Sequence, residues 1–407
     1  MQWDIFLSIC QTEVDGLIPS ESEMFKNFED QVLLADTLGF DSAWVAESHL
    51  SCEIQKENPG AVIPHFKGEI GLNTDILQLA HRVFARTKNL NLGSAIRNIL
   101  CNGGPIAHAE AVKTFLSLHS LNPEEKRFLY LGFASGRFPF SNRPYGIIPR
   151  DEVEETAWSV IKGDLFLEAT EIFLRLLRGE ILSSKDISRR PLTLERFRKK
   201  EDWQNVVKVW QKSTGSVSEP AEIPITPRWT FERLGIVPKN PNTDLLRLVI
   251  GAHDPAAQIL ANRYLPCRVF NLSITPSEKI DETHALMAKH FHPEGGPWTR
   301  AHMPRTALLF INNDPSLSQK DRNANARAQA KRALENYWRA MEGTLDPQKI
   351  ENAVDNTVYG DPENVEKKLK EKYHPDDRLM LWFDFNNHNN QEIQNSMRWF
   401  METVGRK

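Results

Sequence analysis

Short apolar runs alternate with longer amphipathic stretches along the whole 407-residue chain. The first run, Trp3 to Ile9, predicts a strand. After it, FKNFEDQVLLADTLGF sets Phe28, Val32, Ala35, Asp36 and Gly39 at helical spacing, with Gly39 as the stop. SAWVA (42–46) is a continuous apolar run of the kind a parallel sheet buries on both faces. NTDILQLAHRVFARTK predicts a helix opened by Asn73 or Thr74, and LNLGSA a third strand. PIAHAEAVKTFLSLHSL starts on a proline, which suits a first helical turn, and RFLYLGF is the fourth strand. DEVEETAWSVIKGDLFLEATEIFLRLLRGE reads as one long helix. LLRLVIGA, RVFNLSIT, RTALLFINN and RLMLWFDF supply strands five to eight. Between them run DPAAQILANRY, with Asp254 as N-cap, then PSEKIDETHALMAKHF, a polar helix through Arg339, and ENVEKKLKEKY.

Eight strands, each followed by a helix, is the count of a (β/α)8 TIM barrel of the α/β class, with residues 1–407 as a single domain. Two stretches are too long for connections and are expected to be excursions from the barrel. One spans 180–228, between strands four and five. It carries a basic run at Arg189–Lys200, read as a solvated face, is partly helical, and ends in a Pro-rich return. The other spans 313–361, before strand eight.

Composition narrows the partners. The net charge of −4, with both signs interspersed, argues against a general nucleic-acid surface. No apolar run approaches the roughly 20 residues of a membrane span, and the N-terminus does not read as a secretory signal. Cys10, Cys52, Cys101 and Cys267 lie far apart with no CxxC spacing, so the expectation is a reducing, cytoplasmic setting without a disulfide framework or structural zinc.

Active sites of parallel barrels gather where strands end at their C-termini. That rule selects Glu47, Ser48 and His49 after strand two, and Ser94, Ala95, Arg97 and Asn98 after strand three. It also selects Ser135, Gly136 and Arg137 after strand four, and Gly251, Ala252 and His253 after strand five. The strand-four turn, LGFASGRFPFSNRPYG, combines glycines, hydroxyls and a cation, a chemistry suited to phosphate. The strand-five turn, GAHDPAAQILA, runs into a helix N-terminus, which favours an anion. Adjacent anion-friendly turns point to a phosphorylated cofactor over the mouth.

Four stretches, LADTLGFDSAWVAESH, RTKNLNLGSAI with PIAHAEAVKTFLSLHSL, RFLYLGFASGRFPFSNRPYG, and GDPENVEKKL with the closing helix, resemble the bacterial luciferase-like family of flavin-dependent monooxygenases and oxidoreductases. The resemblance implies a barrel binding FMN, or the deazaflavin F420 in one branch. Such an enzyme oxygenates a small organic substrate with reduced flavin and O2, with a reductase as a supplier of reduced flavin, or exchanges hydride without oxygen. It further implies catalytic roles for His49 and Glu47, a non-prolyl cis peptide near Ser94–Ala95, and phosphate turns at Ser135–Gly136–Arg137 and Gly251–Ala252–His253. Pairing as a homodimer through helices on one flank is also implied.

The chain departs from the family pattern at four places, one of them the strand-four arginine, displaced to Arg137. Ser48 stands where the family carries the first histidine of a Glu-His-His run, and a hydroxyl cannot serve as a general base near neutral pH. Ala252 stands where many members place a serine, and GGPIAH replaces a His-Pro turn. These departures keep a third reading open, a non-catalytic luciferase-like subunit. A metal site built on Glu47 and His49 would need further strand-end carboxylates such as Asp314 and Asp384. His108 is read as structural, and Trp210, Trp229, Trp298 and Trp338 as core or interface aromatics.

Overall fold

The computed structural model describes residues 1–58, 64–136 and 138–406; Arg137, one of the sequence-selected phosphate ligands, lies outside the described residues. The strands are β1 (Gln2–Leu7), β2 (Ser42–Ala46), β3 (Asn91–Ala95), β4 (Arg97–Asn98) and β5 (Leu129–Ala134). They continue as β6 (Leu246–Ile250), β7 (Cys267–Val269), β8 (Arg305–Ile311), β9 (Val358–Gly360) and β10 (Arg378–Trp382). They form one curled sheet in the order β7-β6-β5-β3-β2-β1-β10-β8-β9, with β4 beside β5, and the ladders between them are parallel. Between β7 and β8 a single parallel bridge joins Asn271 to Arg305. Asn271 donates to Pro304 O at 2.9 Å, and its carbonyl accepts from Thr306 N–H at 3.1 Å.

All eight expected strands are present, and the rest of the pattern differs for local reasons. β7 stops at Val269 because Phe270 and Asn271 turn their backbones to Ile250 and Pro304. β4 and β9, two and three residues long, carry no periodicity to read. The stretch expected as one helix over 151–180 is two, Glu152–Thr156 and Trp158–Leu177, broken where Ala157 leaves helical geometry (φ −94°, ψ 10°). Of the excursions, 180–228 contains the helix Lys200–Thr214, which buries Trp203, Val206 and Val207. Its basic run is partly tied down: Arg190 donates to Glu171 at 3.2 Å, and Arg196 pairs with Asp164. The second excursion holds helices Gln319–Glu342 and Pro347–Asp355, and β9 then pairs with the upper part of β8.

Phe6, Trp44, Tyr130, Val249 and Met380, from five different strands, and Phe270, just past β7, meet inside the curl. Gly93 faces Trp44 there; a Cβ at Gly93 would lie 2.5 Å from the indole, so glycine is required for the ring to fit. The N-terminal end of the interior is held by a buried ion pair. Arg378 donates to both Asp4 oxygens, at 2.6 and 2.9 Å, and Trp44 Nε1 donates to Asp4 at 2.7 Å. Alternate residues of each strand face a second, larger apolar layer under the helices. No helix among the described residues is long and apolar enough to cross a membrane.

Candidate active site

The residues ending strands two and three do not all face the mouth. Ser94 and Val45 are paired across β3 and β2, as are Gly93 and Trp44. Trp44 points inward, so Ser94 points outward to the helix layer. There its hydroxyl donates to Glu47 Oε2 at 2.9 Å. Arg97 Nη1 donates to Glu47 Oε1 at 3.2 Å and to Asp75 Oδ1 at 3.3 Å, and Arg97 Nε donates to His108 Nδ1 at 2.9 Å. Asp75 caps the helix Ile76–Arg86, and His108 sits on the helix Gly104–His119. This corrects two sequence expectations. The Glu47 side chain has no solvent exposure, so it is not a group in contact with substrate. The Ser94 hydroxyl is committed to Glu47 rather than to a ligand.

The chemistry of this buried cluster is self-consistent. His108 is held down to about 3 by burial and the Arg97 guanidinium, so its ring is neutral. Its Nε2 then donates to Cys101 O at 3.0 Å, and its Nδ1 is free to accept from Arg97. His108 is structural, as read, but in a specific way: it bonds the cation that neutralises Glu47. His49, at the edge of the cluster, lies 3.1 Å from Asn102 Nδ2 through Nδ1, and its Nε2 stands 3.4 Å from Glu47 Oε1 without a formed hydrogen bond. Asn102 Nδ2, a donor only, bonds Nδ1, so the neutral ring carries its hydrogen on Nε2, the nitrogen beside Glu47.

The phosphate-type turns lie side by side at the C-terminal edge, because β5 and β6 are neighbours. Gly251 N–H donates to Phe133 O at 2.9 Å, and a Cβ at Gly251 would lie 2.5 Å from Ile96 Cδ1. Ile96 follows the non-prolyl cis peptide Ala95–Ile96, one bond beyond Ser94–Ala95. Gly136 has φ +74°, and a Cβ there would fall 2.3 Å from Asn98 Nδ2. That amide donates to Asn142 Oδ1 at 2.7 Å, while Asn142 Nδ2 donates to Ser135 O at 3.1 Å, so the strand-three and strand-four loops are stitched together. Cys101 completes the stitch by donating to Ser141 O at 3.0 Å, and burial pushes its thiol up to about 12.

A cavity of about 680 Å³ opens beside Ser135 and Gly136, lined further by Asn142, Trp158, the cations Arg143, Arg150 and Lys162, and the carboxylates of Asp151, Glu152 and Glu155. The strand-five turn is poorer in donors. Pro255 has no N–H, Ala256 N–H is taken by Asp254 Oδ1 at 3.0 Å, and the Asp254 carboxylate already occupies the helix N-terminus. Ala252 has no side-chain donor where a serine would supply one, and its carbonyl accepts from Gln258 at 2.8 Å. His253 is exposed, and its ring is held below the usual imidazole range by partial burial and by Lys279. An anionic group is therefore better served at the strand-four side.

Residues at the end of the eighth barrel strand were underread from the sequence. Trp382 packs 4.4 Å from Phe6 with the rings tilted by 48° and donates to Ser8 Oγ at 3.0 Å, and its ring meets Phe385 at 4.9 Å. Tyr337, from the second excursion, reaches Phe385 at 5.4 Å. Asp384 accepts from Ser8 N–H at 2.7 Å through one oxygen and leaves the other buried and unpaired; burial pushes its carboxyl up to about 7. The strand-end rule applied to RLMLWFDF gave Asp384, as a metal-ligand candidate, and would also have found Trp382. Asp314, the other suggested metal ligand, is committed to Ser316 on an exposed turn. Among the described residues no group of three or more His, Cys, Asp or Glu is arranged to hold a metal.

The sequence matches the family model described as luciferase-like monooxygenase over residues 5–375. No curated protein sequence matches it. Similar solved structures include the monooxygenase RslO1 from Streptomyces bottropensis, with TM-score 0.65 and 18% identity, covering 100% of this chain and 99% of that one. The oxygenating constituent of 3,6-diketocamphane monooxygenase from Pseudomonas putida, in complex with FMN, has TM-score 0.60 and 13% identity over 100% and 98%. An F420-dependent secondary alcohol dehydrogenase with an F420-acetone adduct has TM-score 0.54 and 13% identity over 99% and 98%.

Proposed function

The chain belongs to the luciferase-like monooxygenase family, and from that premise we propose that it is a flavin-dependent monooxygenase that oxygenates a small organic substrate with reduced FMN and O2. In this reading the curled sheet is a closed (β/α)8 barrel whose seam is the Asn271–Arg305 bridge. The observation that carries the proposal is the pair of adjacent turns at one end of β5 and β6, with a cavity opening beside Ser135 and Gly136.

The residues fit a flavin phosphate at the strand-four turn. Gly136 lines the cavity, and Arg143 and Lys162 line it without an ion-pair partner among the described residues. Arg137, by its place in the sequence motif, is assigned to the same turn. The flavin supplies the redox chemistry when bound. Gly251 keeps the neighbouring rim low, while Ala252 and His253 contribute contact rather than charge. Phe6, Trp382 and Phe385 make an apolar surface for a small substrate. His49, oriented by Glu47 and Asn102, is the proton-handling group. We also assign pairing as a homodimer, measurable by light scattering.

FMN and F420 titrations followed by fluorescence test the proposal. FMN binding that weakens at least tenfold, about 1.4 kcal/mol, in Arg143→Ala supports it. Binding of F420 but not FMN moves the chain to the hydride-transfer branch. Binding of neither leaves the non-catalytic reading, which Ser48 and Ala252 favour.

A further inference from the structure

A second cavity, of about 790 Å³, lies at the opposite end of the sheet from the turns just described. It is bounded by the starts of β6 and β7, the segment 239–246, the helix Gly104–His119 and the end of the helix Trp158–Leu177. Five cationic residues line it: Lys113, Arg178, Lys239, Arg247 and Arg268. Only two carboxylates do, and both are at the exposed rim; the Glu294 side chain is 75% exposed, and Asp244 is exposed as well.

The cations are short of carboxylates, although Arg247 Nη1 donates to Asp244 O and Leu246 O at 2.8 Å and Arg268 hydrogen-bonds Tyr130. Arg178 stands 3.6 Å from Glu180, but Lys113, Lys239, Arg247 and Arg268 have no carboxylate within ion-pair distance among the described residues. Lys113 is 1% exposed, and its ammonium has one long contact, 3.4 Å to Lys239 O. An ammonium carries three donors, and burying it without a counter-charge is costly. Arg247 and Arg268 lie close enough to repel, and with burial they hold the adjacent His302 down to about 4. They are spread over the faces of Phe128 and Tyr130, which fixes the guanidinium planes. Such a concentration of uncompensated charge over apolar walls, including Leu116, Leu265 and Phe291, matches a small organic anion with an apolar body.

We propose that this cavity is a binding site for a phosphorylated small molecule, separate from the flavin site, with the phosphate held by Lys113, Arg247 and Arg268. Free phosphate and phosphate esters share the chemistry, and the test separates them. Purified protein is titrated calorimetrically with inorganic phosphate, pyrophosphate and AMP, none of which needs flavin to be bound. The expected result is saturable binding below about 10 mM, tighter for AMP than for inorganic phosphate, because the walls are apolar. Lys113→Met and Arg268→Gln should each weaken AMP at least tenfold. Lys239→Ser, at the exposed rim where folding is not at stake, should weaken it severalfold. FMN affinity, if present, should stay unchanged in all three. Tighter binding of inorganic phosphate than of AMP would overturn the assignment to a phosphorylated organic molecule. Absence of binding by all three probes, or binding indifferent to Lys113→Met and Lys239→Ser, would overturn the site altogether.

Discussion

Replacing Glu47 by alanine tests whether the strand-two acid is a structural anion. Its carboxylate is fully buried and accepts from Ser94 at 2.9 Å and Arg97 at 3.2 Å, with His49 Nε2 3.4 Å away. Alanine leaves the Arg97 guanidinium buried, with neutral His108 and the half-exposed Asp75 as its remaining partners. Breaking a buried pair from one side costs about 3–5 kcal/mol, and Asp75 should keep the value near the lower end. Glu47→Gln keeps one acceptor oxygen, puts an amide donor in place of the other and loses the charge, so it should cost about 1–3 kcal/mol. Glu47→Leu combined with Arg97→Met removes both charges and should recover much of the loss, giving a coupling energy of about 1–3 kcal/mol. Equilibrium urea unfolding monitored by tryptophan fluorescence measures all of these. A coupling near zero, or Glu47→Ala costing less than about 0.5 kcal/mol, would show that the cluster is solvated and the argument wrong.

Other consequences are as open to measurement. Asp384, raised to about 7 in the fold and near 3.8 unfolded, binds its proton more tightly when folded; its contribution therefore weakens stability as pH rises from about 4 to 7 and stays unfavourable above. Asp384→Asn should be stabilising at pH 8 and close to neutral at pH 4, by up to a few kcal/mol in urea melts, and an effect independent of pH would contradict this. Gly136→Ala needs a left-handed alanine and displaces the Asn98 amide, so unfolding free energy should fall by about 2–4 kcal/mol; a loss under 1 would mean that the Asn98–Asn142 bond is not formed. At pH 8 a thiol reagent should label Cys52 in the native protein and leave the other three. Desolvation raises the half-buried Cys10 to about 11, burial raises Cys101 to about 12 and Cys267 further, so rapid labelling of a second thiol would dispute that these three stay protonated.

Much of the architecture was legible because a parallel sheet buries both faces of its strands, leaving runs such as SAWVA and LYLGFA that stand out from the amphipathic helices. The break at Ala157 was not legible: no glycine or proline marks it, and both halves favour helix. Strand ends located the chemistry to within a residue or two but not the direction of side chains. Period-two parity gives part of that direction, since Glu47 continues the face of Ala43 and Val45, away from Trp44. Recognising His108 as the partner of Arg97 required knowing that a helix from another unit packs there. The cationic cavity was illegible for the same reason, because positions 113, 178, 239, 247 and 268 share no motif and meet only through the fold.

The most direct test of the central claim is a crystal structure with FMN, in which the position of the phosphate is read from its density. The account predicts that phosphate beside Ser135 and Gly136, within reach of Arg143 or Lys162. Density for the phosphate beside Lys113 and Arg268, at the other end of the sheet, or no bound FMN at saturating concentration, would contradict it.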